Sequence, residues 1–252
     1  MMLLLYVLKG PSAFNGWVRK IWYQNQQRIF DLCLMQKKSL KIAVSKEIGK
    51  VSAKCYIPGK PKCIMTLAHG AGAGMDHIFM ETLATRLAEE GIATLRFNFP
   101  FTENKKGRPD SPAVAHQAIK AAIAKAHELF PKLPLFVAGK SFGGRMSSQL
   151  LSTDPLDTVQ GLIFYGFPLH QPGNPSIDRA EHLKQVKVPM LFLQGTRDAL
   201  ATIDLIEKVS KPLKKAKLVK LEGADHSFKA GKKDIMSELV AATKEWIAKQ
   251  SS

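Results

Sequence analysis

Leu135-Phe-Val-Ala-Gly-Lys-Ser-Phe-Gly-Gly-Arg145 is the stretch on which the fold turns. The apolar run Leu135 to Ala138 reads as a buried strand. It passes without a linker into Gly139-Lys140-Ser141-Phe142-Gly143, and a helix is expected to begin at Gly144-Arg145-Met146. Glycine, serine and glycine at two-residue spacing, between a strand and a helix, form a turn so tight that the serine takes a strained backbone conformation. The flanking glycines remove the side chains that would collide. Such a turn presents the Ser141 hydroxyl at the carboxyl end of a sheet, against the positive end of a helix.

Working outward, further short apolar runs occur at Cys63–Ala68, Ile92–Phe97, Leu162–Tyr165 and Met190–Leu193, with a shorter one at Leu218–Leu221. Runs apolar on both faces belong in the middle of a parallel sheet covered on both sides by helices. The intervening segments have helical periodicity. Met80, Leu83 and Leu87 share a face, ended by Gly91, and Ile235, Leu239, Ala242 and Trp246 form the stripe of a last helix. Ser111-Pro112 reads as an N-cap followed by proline at the first helical position, with Ala115, Ile119, Ala122, Ala126 and Leu129 as the buried stripe. Before these, Ser39–Ser45 and Lys50–Ile57 alternate polar and apolar around Gly49, as a pair of half-exposed antiparallel strands would. The fold class is α/β: a doubly wound, mostly parallel sheet in one domain.

A serine nucleophile needs a base, and the base an orienting acid, in the chain order Ser, Asp, His for this architecture. The run Met190–Leu193 leads to Gln-Gly-Thr-Arg-Asp198, and the last short strand leads to Glu-Gly-Ala-Asp225-His226. Ser141, Asp198 and His226 therefore stand in that order, each just past the carboxyl end of a strand. Asp225 is a rival for the acid, although adjacent side chains on a turn rarely meet in the required orientation. His77 is better explained as a helix cap, His116 and His127 as helix residues, and His170 and His182 as flanks of a Pro/Gly-containing connection.

Oxyanion donors are expected from the backbone N–H of Phe142 and from the loop His69-Gly-Ala-Gly-Ala-Gly74, where Ala71 is the first choice and Gly70 and Gly72 are the alternatives. That loop lacks the G-x-G-x-x-G spacing of a dinucleotide site, with Met75 in the third place and Arg96-Phe97-Asn98 where an acidic residue would stand. No cofactor is expected. Lys140 and Arg145 beside the serine would either bind a carboxylate or pair with an acid near the helix. Arg145 and, from the loop Lys105-Lys106-Gly107-Arg108, Arg108 are the candidate substrate-binding residues, although the charges of that loop read more readily as a solvated run.

Of 252 residues, 45% are hydrophobic and 23% charged, which excludes disordered and fibrous classes. Cys33, Cys55 and Cys63 make no disulfide framework and no metal-ligating cluster, so no metal is expected and a reducing, cytoplasmic setting is the natural expectation. No stretch reaches the roughly 18 apolar residues that cross a bilayer, so no stable membrane insertion is expected. Met1–Leu8 has no basic residue ahead of it and is short for a signal peptide. Residues 1–34, with Trp17, Trp22 and Tyr23 but no clear periodicity, read as an N-terminal extension. The break in pattern at Met35 makes that residue a candidate translation start, with the domain spanning residues 35–252.

The segments His69–Gly74, Leu95-Arg-Phe-Asn-Phe-Pro100 with Lys106-Gly-Arg-Pro-Asp110, Gly139–Arg145 and Gly223-Ala-Asp-His-Ser-Phe228 resemble the α/β-hydrolase family and, within it, the dienelactone-hydrolase-like branch. They are most similar to the hydrolase-like family that includes the testis-expressed protein thirty and the third subunit of the nonspecific lethal complex. The resemblance covers about residues 40–250. It implies a sheet of about eight strands and an intact Ser141-Asp198-His226 triad. Dienelactone hydrolases proper use cysteine where Ser141 stands, and some members of the nearer family are complex components rather than proven enzymes.

The expected function is hydrolysis of a carboxylic ester or similar small acyl substrate through an acyl-enzyme. A non-catalytic, hydrolase-like interaction module is the alternative. The connection Leu169–Lys187 is too short for a large lid, which argues against long-chain fats.

The net charge of +16 first suggests nucleic acid or an anionic membrane as partner. Its distribution argues otherwise. Four basic residues against one acidic in residues 1–34, eight lysines against Glu47 in residues 35–62, and six lysines with no acid in residues 208–220 carry the whole excess. The rest balances at 19 against 19. In the implied fold the latter two segments lie at the two sheet edges, where lysines oppose edge-to-edge aggregation. A small-molecule substrate and no nucleic acid are therefore expected, and the oligomeric state is left open.

Overall fold

A computed structural model describes residues 35–250; the extension 1–34 lies outside them. The chain first forms the hairpin β1 (Gln36–Ser45) and β2 (Gly49–Ile57), in which Leu40 faces Ala53 and Ile42 faces Val51. Strands and helices then alternate: β3 (Cys63–Ala68), α1 (Ile78–Glu89), β4 (Ile92–Phe97), the short α2 (Pro100–Glu103), α3 (Pro112–Leu129), β5 (Leu135–Lys140) and α4 (Phe142–Thr153). They continue with β6 (Val159–Tyr165), a 3₁₀ segment (Asp178–Gln185), β7 (Met190–Gly195), α5 (Ile203–Ser210), β8 (Ala216–Leu221) and α6 (Ile235–Gln250).

One eight-stranded sheet results, in the order β1-β2-β4-β3-β5-β6-β7-β8. The β1/β2 and β2/β4 pairs are antiparallel and all the others parallel. Successive residues of the central strands feed opposite cores. Leu135, Val137, Leu162 and Phe164 pack with Ile119 and Met146 on one face. Phe136, Ala138, Ile163 and Tyr165 pack with Leu83, Leu239 and Trp246 on the other. Each such leucine, isoleucine, valine or phenylalanine contributes about 2 kcal/mol on leaving water, and burial on both faces is why these runs lack alternation. The two edges are β1 and β8, and the lysine-rich segments lie along them.

Three local expectations change. The helix after Ser141 begins at Phe142 rather than Gly144. Leu129, the last residue of α3, is 37% exposed and not part of the buried stripe. Ser111 occupies the N-cap of α3 ahead of Pro112, but its side chain makes no capping hydrogen bond.

Candidate active site

The turn from β5 to α4 holds Ser141 at φ 50°, ψ −114°, a positive φ that a non-glycine residue adopts only under constraint. The constraint is steric. A Cβ on Gly139 would lie 2.2 Å from the Gly144 nitrogen, and one on Gly143 would lie 2.6 Å from the Ala68 carbonyl oxygen, so the chain can pass here only without side chains.

The Ser141 hydroxyl that this turn presents lies 2.9 Å from His226 Nε2, and His226 Nδ1 lies 2.7 Å from Asp198 Oδ2. These three residues, expected from strand ends far apart in the sequence, are brought into one hydrogen-bonded chain. With the carboxylate accepting at Nδ1, the imidazole has Nδ1 protonated, leaving Nε2 to accept from the serine.

The Asp198 side chain is almost fully buried and fully engaged. Oδ2 also accepts from Gln194 Nε2 at 2.6 Å, and Oδ1 accepts from the Leu200 N–H at 2.8 Å. Gln194, wholly buried, is fixed in turn by accepting from the Phe167 N–H. The rival Asp225 turns back on its own loop, where Oδ1 accepts from the N–H groups of Ser227 and Lys229. Its orientation separates it from the imidazole, as adjacency on a turn predicts.

Across from the serine runs the loop from His69 to Met75, held at both ends. At one end the His69 Nδ1–H donates to the Gly70 carbonyl and Nε2 accepts from the Phe99 N–H at 3.0 Å. Burial pushes the His69 imidazole down to about 4, so it stays neutral with both nitrogens occupied. At the other end the Met75 N–H donates to Asn98 Oδ1, and buried Arg96 donates from Nη1 to the Met75 carbonyl while stacking 4.5 Å over the Tyr56 ring. Asn98 is itself anchored by Glu103. Burial alone would raise the Glu103 pKa, but hydrogen bonds from Lys41, Ser52 and Asn98 outweigh it and hold the carboxyl at about 2. The stretch Leu95–Pro100 is thus a clamp for the loop, a role that no single residue in it advertises.

Ala71, from that loop, and Phe142 line one cavity with Ser141, and neither of their amide N–H groups donates a hydrogen bond among the described residues. This cavity, of about 370 Å³, also has Arg145, Arg179 and Asp110 in its walls. A second cavity of about 370 Å³ opens on the other side of the serine, lined by His226, Lys140, Phe79 and Met80. Of the two arginines expected near substrate, Arg145 reaches the first cavity, whereas Arg108 is exposed and lines neither.

Among the described residues Lys140 pairs with no acid. Its Nζ donates to the His226 carbonyl at 2.6 Å and lies over the Phe228 ring, and burial lowers its pKa to about 8. Three other histidines make structural hydrogen bonds, whereas His116 Nε2 is buried with no partner among the described residues. His77 caps α1 by accepting from the Phe79 N–H, His170 accepts from the Thr202 N–H, and His182 lies 2.7 Å from Ser148 Oγ. Cys55 and Cys63 are buried thiols, pushed up to about 11 and 12 by loss of solvent. No group of three or more potential metal-ligating side chains occurs among the described residues, nor any helix long and apolar enough to cross a membrane.

A family model for the alpha/beta hydrolase domain matches residues 61–249. A Mycobacterium tuberculosis (strain H37Rv) protein, provisionally described as a phosphoribosyl transferase, is 26% identical over 184 residues. The match covers 71% of this chain but only 39% of that protein. Among solved structures, a dienelactone hydrolase from Anabaena variabilis superposes with a TM-score of 0.71 at 21% identity, covering 85% of this chain and 98% of the other. A lidless α/β serine hydrolase from Xanthomonas campestris gives 0.66 at 20% identity, covering 85% and 94%. Est1E from Butyrivibrio proteoclasticus gives 0.66 at 18% identity, covering 84% and 98%. At these identities the likeness is one of fold. With the family model covering most of its length, and with the strand order and the serine turn described above, this chain belongs to the α/β-hydrolase family.

Proposed function

We propose that this protein is a serine hydrolase of small carboxylic esters, working through an acyl-enzyme. The observation that carries this reading is the continuous chain Ser141 Oγ, His226 Nε2, His226 Nδ1, Asp198 Oδ2, with links of 2.9 and 2.7 Å. His226 takes the hydroxyl proton as Ser141 attacks the acyl carbonyl, then returns it to the leaving oxygen, and water repeats the sequence to release the acid. Asp198, held by Gln194 and the Leu200 N–H, keeps the imidazole in the required tautomer and stabilises its cation. The free N–H groups of Phe142 and Ala71 receive the oxyanion. Lys140 is a positioning residue that ties the His226 carbonyl to the serine turn.

The four segments His69–Gly74, Leu95–Pro100, Gly139–Arg145 and Gly223–Phe228 support a finer placement, with the hydrolase-like family of the testis-expressed protein thirty and the nonspecific lethal complex third subunit.

Hydrolysis of 4-nitrophenyl butyrate and labelling by a fluorophosphonate test the reading together. The protein should be labelled at Ser141, and Ser141→Ala should lower kcat/KM by at least about 10³-fold while the protein remains folded. Turnover unchanged by Ser141→Ala would remove that residue from the mechanism. A folded protein that neither labels nor hydrolyses would be an interaction module.

A further inference from the structure

The two cavities flanking Ser141 differ in one respect that bears on chemistry: His226 lines one and not the other. The base that returns the proton must stand beside the departing oxygen, so the leaving group occupies the cavity with His226, Lys140, Phe79 and Met80. The acyl group then extends into the opposite cavity, past Phe142, toward Arg145 and Arg179.

Among the described residues those two guanidiniums have no acid partner. Arg145 Nε is buried and makes no hydrogen bond. The one carboxylate in the cavity wall, Asp110, accepts from the Phe101 N–H through Oδ2 and forms no ion pair with either arginine. The imidazoles nearby add no compensating charge, and His182, drawn down to about 4 by burial and by Arg145, stays neutral against Ser148. Burial, and then Arg179, depress the pKa of Arg145, the expected result of half-burying one guanidinium near another. Such a pair is costly without an anion between its members, and the guanidinium fork matches a carboxylate in two-bonded geometry.

We propose that Arg145 and Arg179 form a subsite for a terminal carboxylate on the acyl half of the substrate, so that the preferred substrates are half-esters of short dicarboxylic acids. The proposal rests on the serine-hydrolase reading of Ser141. The cavity volume of about 370 Å³ suits an acyl chain of a few carbons.

Binding and turnover test it separately. In Ser141→Ala protein, monomethyl glutarate followed by NMR titration should bind at least about tenfold more tightly than neutral methyl butyrate, and adding Arg145→Met or Arg179→Gln should erase that difference. In the unsubstituted serine protein, 4-nitrophenyl hemiglutarate should exceed 4-nitrophenyl butyrate in kcat/KM by at least about tenfold, a ratio that either arginine substitution collapses. The butyrate ester of 4-hydroxybenzoate, with its charge on the leaving group, should gain nothing. Because Arg179 lies on the 3₁₀ segment and Arg145 on α4, the two variants perturb different elements, and circular dichroism confirms that each is folded.

Equal binding of charged and neutral ligands overturns the subsite, as does a preference that survives both substitutions. An equal preference for the anionic leaving group overturns its assignment to the acyl side. Absence of all ester turnover and of fluorophosphonate labelling would instead remove the esterase reading, and the glutarate titration would still decide whether the arginines bind a carboxylate.

Discussion

The two walls that face the Ser141 hydroxyl are built on opposite principles. The turn Gly139–Gly144 takes its shape from what is missing, since a single Cβ would drive the chain into backbone atoms of Ala68 or Gly144. The loop His69–Met75 takes its shape from what distant residues supply: the Phe99 N–H, the Arg96 guanidinium and the Asn98 amide. The first wall is local and intolerant of change within itself. The second is assembled from two stretches of chain and is exposed to changes made elsewhere.

Substitutions sharpen that contrast. The largest effect is expected in the first wall: Gly143→Ala places a Cβ 2.6 Å from the Ala68 carbonyl and should cost about 3 kcal/mol or more in urea unfolding. A second, graded effect belongs to His69. Its folded pKa of about 4 lies below the ordinary 6.5, so the unfolded chain binds the extra proton first on acidification. Stability is full above about pH 6.5 and falls by ~3 kcal/mol as the pH drops to 4, with the Phe99 N–H losing its acceptor once the ring is charged. Thermal unfolding followed across that range, in the original protein and in His69→Gln, should show the acid slope reduced in the variant; parallel slopes would break the assignment. The smallest effect is expected at Asn98→Ala, which frees the Met75 end of the loop for about 1 kcal/mol of stability. Ester turnover should nevertheless fall by roughly tenfold, because a misplaced oxyanion donor costs more in rate than in stability. Turnover that tracks stability alone would show that the loop needs no clamp.

The same contrast explains how much was legible in the sequence. Strand runs, their order and the serine turn could be read because each is decided by residues next to one another. Ser141, Asp198 and His226 could be read because chemistry demands three residue types and the architecture fixes where along the chain they fall. The link from His69 to Phe99 and Arg179 in the cavity wall could not be read because the partner lies far along the chain, and Gln194, only four residues from Asp198, could not because its residue type is ordinary at a strand end. Arg145 and Arg108 looked alike as basic residues near strand ends, and only the path of the chain separates the one in the cavity from the one in solvent. Leu129 differs for a related reason: periodicity gives a helix face but not how far along the helix that face stays covered.

Between β6 and β7 the one helical element among the described residues is the 3₁₀ segment Asp178–Gln185, which packs against α4. Arg179 comes from that segment and Arg145 from α4, so the packing between these two elements sets how far apart two walls of the cavity stand. A substitution at that seam, as at the Ser148–His182 hydrogen bond, changes the width of the cavity without touching any residue that lines it.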